Sequence, residues 1–404
     1  MNYDRLNYKL QKLKIMYRLQ NSIFKNIVLV GLISFVFLSC KTNNSEEQDE
    51  VVAEKMLSLK DAFKGKFLIG TALNLNQIEG RATSDIALIK EQFNSIVAEN
   101  CMKSENLFTA QGTYDFTAAD AFVKFGEDNN MVVHGHTLIW HSQLPEWFFK
   151  DSLGNQIDKV ALTERMKSHI STVVGRYKGR VKSWDVVNEA VLDNGELRKS
   201  KFYEILGDSY LKLAFEFAHQ ADPEAELYYN DYNTSYPEKR AGIIKMLSKL
   251  QSEGVQLDGM GMQGHVGVDK PTIAEFEKSI TAFADLGLKV AVTEFDITVL
   301  PFPKNLDGAE VSNNAEYKEE MNPYINGIPD SLNVKFTNRY LDFFKVFLKH
   351  QDKMEKITFW GVNDGNSWRN DWPIAGRTDY PLLFDRENKA KPVVDSIIKL
   401  ALKN

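Results

Sequence analysis

Cysteine is nearly absent from this chain, with Cys40 and Cys101 the two in 404 residues, so no disulfide framework holds the fold and stability has to come from an apolar core. An excess of positive charge is missing too. Lys and Arg number 49 against 55 Asp and Glu, a net charge of -6, which offers no basic face to nucleic acid and suits a neutral substrate better. No glycine-rich phosphate loop follows the first candidate strand, which weighs against a nucleotide site. The seven histidines form no ligand-spaced cluster, so neither a metal nor another cofactor is expected. The long apolar run, residues 27–39, is too short for a comfortable transmembrane helix. What remains, 43% apolar and 26% charged residues, is ordinary for a globular protein.

The apolar run has a different layout. Arg18 and Lys25 precede it, and small Ser39 and then Cys40 follow, as in a secretory signal. Phe37-Leu38-Ser39-Cys40 resembles the lipobox of bacterial lipoproteins, with Phe37 where leucine is usual. That resemblance implies lipidation of Cys40, making a lipid anchor the one contact with a membrane; a plain secretory peptide is the alternative. The polar stretch before Arg18 is long for such a signal, so Met16 is a second candidate start. Residues 40–56 are polar and acidic without periodicity and read as a flexible tether. Acidic residues after a lipidated cysteine resemble a surface-export signal of some Gram-negative lipoproteins. The expected address is the outer membrane or cell surface, otherwise the periplasm or medium.

From residue 57 to 404 short apolar strands alternate with longer amphipathic stretches, the pattern of βα units. Eight candidate strands are read at 66–72, 93–98, 131–137, 181–187, 226–230, 259–264, 290–294 and 357–362. Helices are expected between them, for instance over 210–220 and over 241–251, the latter closed by Gly254. This rhythm argues for a single α/β domain built as a (β/α)8 TIM barrel, in preference to an open doubly wound sheet. Residues 301–333, rich in Pro, Asn, Gly and acidic residues, read as a long loop after the seventh strand that shapes a cleft.

Two of the candidate strands end in glutamate: Ser183-Trp184-Asp185-Val186-Val187-Asn188-Glu189-Ala190 and Val290-Ala291-Val292-Thr293-Glu294-Phe295-Asp296. Strand ends feed the catalytic mouth of a barrel, so the two carboxyls are expected to meet across one pocket. Paired carboxyls are the working parts of a glycoside hydrolase. Other strand ends carry Gly70-Thr71-Ala72, Ala98-Glu99-Asn100-Cys101-Met102-Lys103, Gly135-His136-Thr137-Leu138-Ile139-Trp140-His141-Ser142-Gln143-Leu144-Pro145, Gln263-Gly264-His265, and Phe359-Trp360-Gly361-Val362 with Ser367-Trp368. Taken in order, these segments resemble glycoside hydrolase family 10, the endo-β-1,4-xylanases, over residues 57–400.

The resemblance implies a retaining hydrolase of xylan or xylo-oligosaccharides with Glu294 as nucleophile and Glu189 as general acid/base, carboxyls that such a mechanism needs roughly 5 Å apart. The charge of Glu294 would keep a proton on Glu189 before attack, and esterification of Glu294 would remove that charge, so one residue serves both half-reactions. His265, oriented by Asp296, is expected to hydrogen-bond the nucleophile, and Asn188 the sugar 2-hydroxyl. Glu99, Asn100, Lys103, His136, Gln143 and Gln263 match sugar-binding positions, while Trp140, Trp360 and Trp368 would supply apolar walls. Ser104 stands where a tryptophan commonly follows the Met-Lys pair, which predicts looser packing behind Lys103. Phe295 replaces a common leucine, a neutral packing change. The rival readings are a β-1,4-glucanase or other β-glycanase on the same fold, and a non-catalytic glycan-binding surface lipoprotein, which would need neither glutamate.

Overall fold

The computed structural model describes residues 57–110, 112–303 and 315–404. The apolar run, Cys40 and the acidic tether lie outside the described residues. The main strands are β1 Leu68–Leu73, β2 Ser95–Ala98, β3 Val132–Gly135, β4 Ser183–Asn188, β5 Glu226–Asp231, β6 Gly259–Met262, β7 Lys289–Thr298 and β8 Met354–Phe359. Each pairs in parallel with its sequence neighbours, and β8 pairs back onto β1 with Leu68 opposite Lys356, which closes the ring into a (β/α)8 barrel. Closure leaves no strand edge in the ring. It also explains the apolar, uninterrupted strand sequences: β2, β4 and β6 are buried at every residue, because one face meets the barrel interior and the other meets helices.

The helices cover the outside by the apolar stripe of each. Lys159–Arg176 starts where the Asp158 side chain accepts from the Ala161 N–H, and it buries Leu162, Met166, Ile170, Val173 and Val174. Pro237–Ser252 opens on proline, which costs nothing in the first turn, and stops before Gly254 at φ +78°. Asp330–Lys349 lays Phe336, Tyr340, Phe343, Phe344 and Phe347 against the barrel, where Phe343 meets the Phe295 ring at 5.2 Å. Phe295 itself is fully buried, so the aromatic substitution is absorbed by aromatic neighbours.

All eight expected strands are present, with shifted limits. Strand β7 does not end at Glu294 but runs on to Thr298, and its register against β8 slips between Val292 and Phe295. Glu294 therefore sits on an irregularity inside the strand, a device that re-aims a side chain without ending the pairing. Strand β8 begins at Met354 and ends at Phe359, earlier than the apolar pattern suggests. The expected loop over 301–333 is shorter than read, since helix begins at Asp330.

Two accessory ladders prolong the barrel at its mouth. Ile139–Trp140 pairs beside the end of β4, with Trp140 opposite Asn188, and His265–Gly267 pairs beside β7, with His265 opposite Asp296. Backbone pairing thus sets the indole next to Glu189 and the imidazole next to Glu294.

Candidate active site

Glu189 follows β4 directly and is 5% exposed; its N–H donates to the Asn230 carbonyl at 2.9 Å. Its carboxyl accepts two neutral N–H groups, from Trp140 Nε1 to Oε2 and from Gln263 Nε2 to Oε1, both at 2.9 Å. Glu294, also 5% exposed, donates its N–H to the Gln263 carbonyl at 2.8 Å. Its Oε1 accepts from Asn230 Nδ2 at 2.8 Å, and its Oε2 lies 3.2 Å from His265 Nε2. A chain of amides joins the two carboxyls: Gln263 Nε2 is 3.3 Å from Asn188 Oδ1, and the amides of Asn188 and Asn230 approach to 3.0 Å.

The orientation of Asn230 is fixed by chemistry. Thr293 Oγ1 donates to Asn230 Oδ1 at 2.6 Å, which turns the amide so that its NH2 faces Glu294. Gly261 leaves the room: a Cβ there would stand 2.4 Å from Asn230 Oδ1. Gly261 lies on β6, which pairs with β5, and Thr293 on β7, the next strand round, so barrel register aligns them.

His265 Nδ1 lies 2.9 Å from Asp296 Oδ2. Burial opposes a charged imidazole, but Asp296 and then Glu294 outweigh it and raise His265 to about 8. Asp296, fully buried, would be pushed up by burial, yet Arg369 and His265 pull it down to about 2. Arg369 grips Asp296 Oδ1 through Nη2 at 2.9 Å and Nε at 3.1 Å, while Trp368 Nε1 donates to Oδ2 at 2.8 Å. The lowered Asp296 and the raised His265 favour an ion pair of the two, with the other ring nitrogen of His265 turned to Glu294.

A cavity of about 60 Å³ is lined by both glutamates with Lys103, His136, Trp140, Asn188, Gln263, His265, Trp360 and Trp368. Lys103 Nζ lies 5.3 Å from the Trp140 ring centre and 5.9 Å from that of Trp360, and it donates to Asn100 Oδ1 at 3.0 Å. Burial lowers the Lys103 pKa, and Glu294, Glu99 and Glu189 resist that shift. The His136 ring is held by Asp185, Nδ1 to Oδ2 at 2.9 Å. Glu99 and Asn100 line a second, more open cavity of about 600 Å³, shared with Trp368, Asn74 and Arg81. Burial raises Glu99, against the pull of Lys103. Neutral rings, amides and a few charges converging on concave space suit a polyhydroxylated ligand.

The family model described as glycosyl hydrolase family 10 matches residues 58–400. The chain belongs to this family. Among curated relatives, endo-1,4-beta-xylanase A of Xylanibacter ruminicola is 49% identical over 86% of this chain and 95% of its own length. The endo-1,4-beta-xylanase of Geobacillus stearothermophilus is 38% identical over 85% of this chain and 98% of its own. Among solved structures, a GH10 endoxylanase from a sugarcane soil metagenome is 47% identical with a TM-score of 0.82, covering 85% of this chain and 100% of that one. A mutant solved in complex with xylotriose is 35% identical with a TM-score of 0.77, covering 85% and 99%. The protein is a glycoside hydrolase.

In this family 10 chain the expected residues come together around one mouth, with three differences from the sequence reading. Gln143 is not among the residues lining either cavity; its backbone, at φ +47°, accepts from the Glu105 N–H at 2.9 Å. Trp140 is more than a wall, since its N–H is spent on Glu189. Nor does Ser104 leave a gap: it is 6% exposed, and its hydroxyl meets His169 Nε2 at 3.2 Å, whose Nδ1 meets Tyr114 Oη at 3.1 Å. Sequence reading missed Asn230, Thr293 and Arg369. The signal for Asn230 was the one used for Glu189, a polar residue closing an apolar strand, here Leu227-Tyr228-Tyr229-Asn230. Arg369 carried no such signal, because it lies in a short 3-10 turn, Trp368–Asn370, far along the chain from Asp296.

Proposed function

We propose that the protein is a retaining endo-β-1,4-xylanase in which Glu294 attacks the anomeric carbon and Glu189 serves as general acid and then base. The observation that carries the division of roles is the asymmetry of partners. Glu294 faces His265 and an amide donor, which suits an anionic nucleophile, whereas the hydrogen bonds to Glu189 from Trp140 and Gln263 come from neutral N–H groups, which tolerate a carboxyl that gains and loses a proton. In the first step Glu294 forms an ester to C1 while the Glu189 proton passes to the leaving oxygen. In the second, Glu189 takes a proton from water as its oxygen attacks C1, and Glu294 leaves as carboxylate. Xylan is the substrate that the named relatives favour, and xylotriose is the ligand of one structural neighbour.

A 2-fluoro-xylobioside with a good leaving group tests this reading, because fluorine destabilises the cationic transition state and slows turnover of the ester. Peptide mass mapping should find the adduct on Glu294. Labelling of another residue, or no accumulation with inverted products, would overturn the assignment.

A further inference from the structure

Glu189 has φ +60°, a left-handed conformation that a residue with a Cβ rarely adopts and that neighbouring structure has to impose. The direction in which its carboxyl leaves the backbone depends on that angle. Every backbone group around it is held. The Glu189 N–H reaches the Asn230 carbonyl at 2.9 Å, and its own carbonyl accepts from Arg198 Nε at 3.0 Å. The next N–H, of Ala190, donates to Tyr229 Oη at 2.9 Å, and the Ala190 carbonyl accepts from the Arg198 N–H at 2.8 Å.

These partners are themselves anchored. Arg198 Nη2 donates to Tyr232 Oη at 3.0 Å, and Tyr229 donates its hydroxyl to Asp231. Asp231 pairs with Lys239 at 2.9 Å; both are fully buried, and the ammonium lies 3.3 Å from the Tyr232 ring centre. These hydrogen bonds hold main-chain atoms and the partners behind them, while the Glu189 carboxyl accepts from Trp140 and Gln263. Tyr229 acts on that carboxyl through the main chain, while Arg198 holds the main chain and also acts on the carboxyl through its charge.

We infer that Arg198 and Tyr229 are positioning residues for the acid/base: they clamp the left-handed backbone of Glu189 from both sides and so aim its carboxyl at the leaving oxygen. The inference rests on the reading that Glu189 is the acid/base. Loosening the clamp costs rate in proportion to how much the leaving group needs a proton.

The test is kcat/KM for a series of aryl β-xylobiosides running from dinitrophenyl to phenyl, measured on wild type, Arg198→Gln, Tyr229→Phe and Glu189→Ala. Because kcat/KM reports the first chemical step and all leaving groups are aryl, a lost aglycone contact or a smaller folded fraction lowers every member alike. Both positioning variants should stay within about threefold of wild type on the dinitrophenyl compound and fall roughly tenfold or more on the phenyl one, with Glu189→Ala steeper in the same direction. Unchanged slopes in Arg198→Gln and Tyr229→Phe beside a steep Glu189→Ala would overturn the clamp alone. A flat slope in Glu189→Ala would overturn the acid/base reading beneath it.

Discussion

Asn230 donates through Nδ2 to Glu294 Oε1 at 2.8 Å, from a side chain with no solvent exposure. The bond spans two strands, and its geometry is set before any ligand arrives, because Thr293 fixes the amide orientation and Gly261 makes space for it. An electrostatic partner of this kind does not reorganise when charge moves during the reaction.

Replacing Asn230 with alanine should therefore lower activity well beyond any effect on folding. A hydrogen bond to a charged group contributes about 1.5–3 kcal/mol, which corresponds to roughly a 10- to 150-fold loss in kcat/KM on an aryl xylobioside. A loss below about threefold in a variant of wild-type thermal midpoint would mean that Glu294 does not depend on this amide.

His265 predicts a pH dependence of stability. Its folded pKa is raised from 6.5 to about 8. The protonated form is thus favoured by folding, and the gain is fully present below pH 6.5 and lost as pH rises through about 8. The shift corresponds to about 2 kcal/mol. Asp296 runs the opposite way: held at about 2 against an ordinary 3.8, it stabilises above the ordinary value and loses that contribution as pH falls through about 2. Urea midpoints should decline between about pH 6.5 and 8.5 in wild type and stay flatter in His265→Gln. Parallel curves for the two proteins would contradict a raised His265.

The barrel was legible because its strands are short apolar runs at regular spacing, and closure with parallel neighbours follows from that rhythm. The two glutamates were legible as polar residues closing such runs, within motifs that resemble the family. Asn230 had the same local signal and was passed over. What the strand pattern could not carry was the continuation of β7 beyond Glu294, since the irregularity between Val292 and Phe295 leaves no trace in residue type. Arg369 and the Ser104–His169 pair were equally hidden: each is a contact between segments far apart in sequence, made only once helices and turns have packed.

The address of the protein is a separate proposal, motivated by the run over 27–39 and by Cys40. Cys40→Ser in a producing bacterium should move the enzyme from the membrane fraction to the soluble one and abolish labelling by a fatty acid. A wild type that is soluble and unlabelled would leave the secretory reading in place of the lipoprotein one.

Sugar choice is the last prediction. Xylose differs from glucose by lacking the C5 hydroxymethyl, so a site that prefers xylose must crowd that group out, because there is nothing extra on xylose to recognise. Trp360 is the side chain we propose for this role: it lines the cavity that both glutamates share, is only 6% exposed, and packs with Ala72, Val97 and Trp368 beneath Lys103. A ring wedged among such neighbours cannot swing aside for a bulkier sugar. Wild type should cleave aryl xylobiosides with much higher kcat/KM than cellobiosides bearing the same leaving group. Trp360→Ala should narrow that ratio even where lost stacking lowers both rates, since a steric penalty is relieved by space while a lost contact is not. A ratio unchanged in the variant would remove Trp360 as the source of discrimination. A wild type that handles both sugars equally, or prefers the cellobioside, would replace the xylanase reading with that of a broader β-glycanase, with the roles of Glu189 and Glu294 untouched.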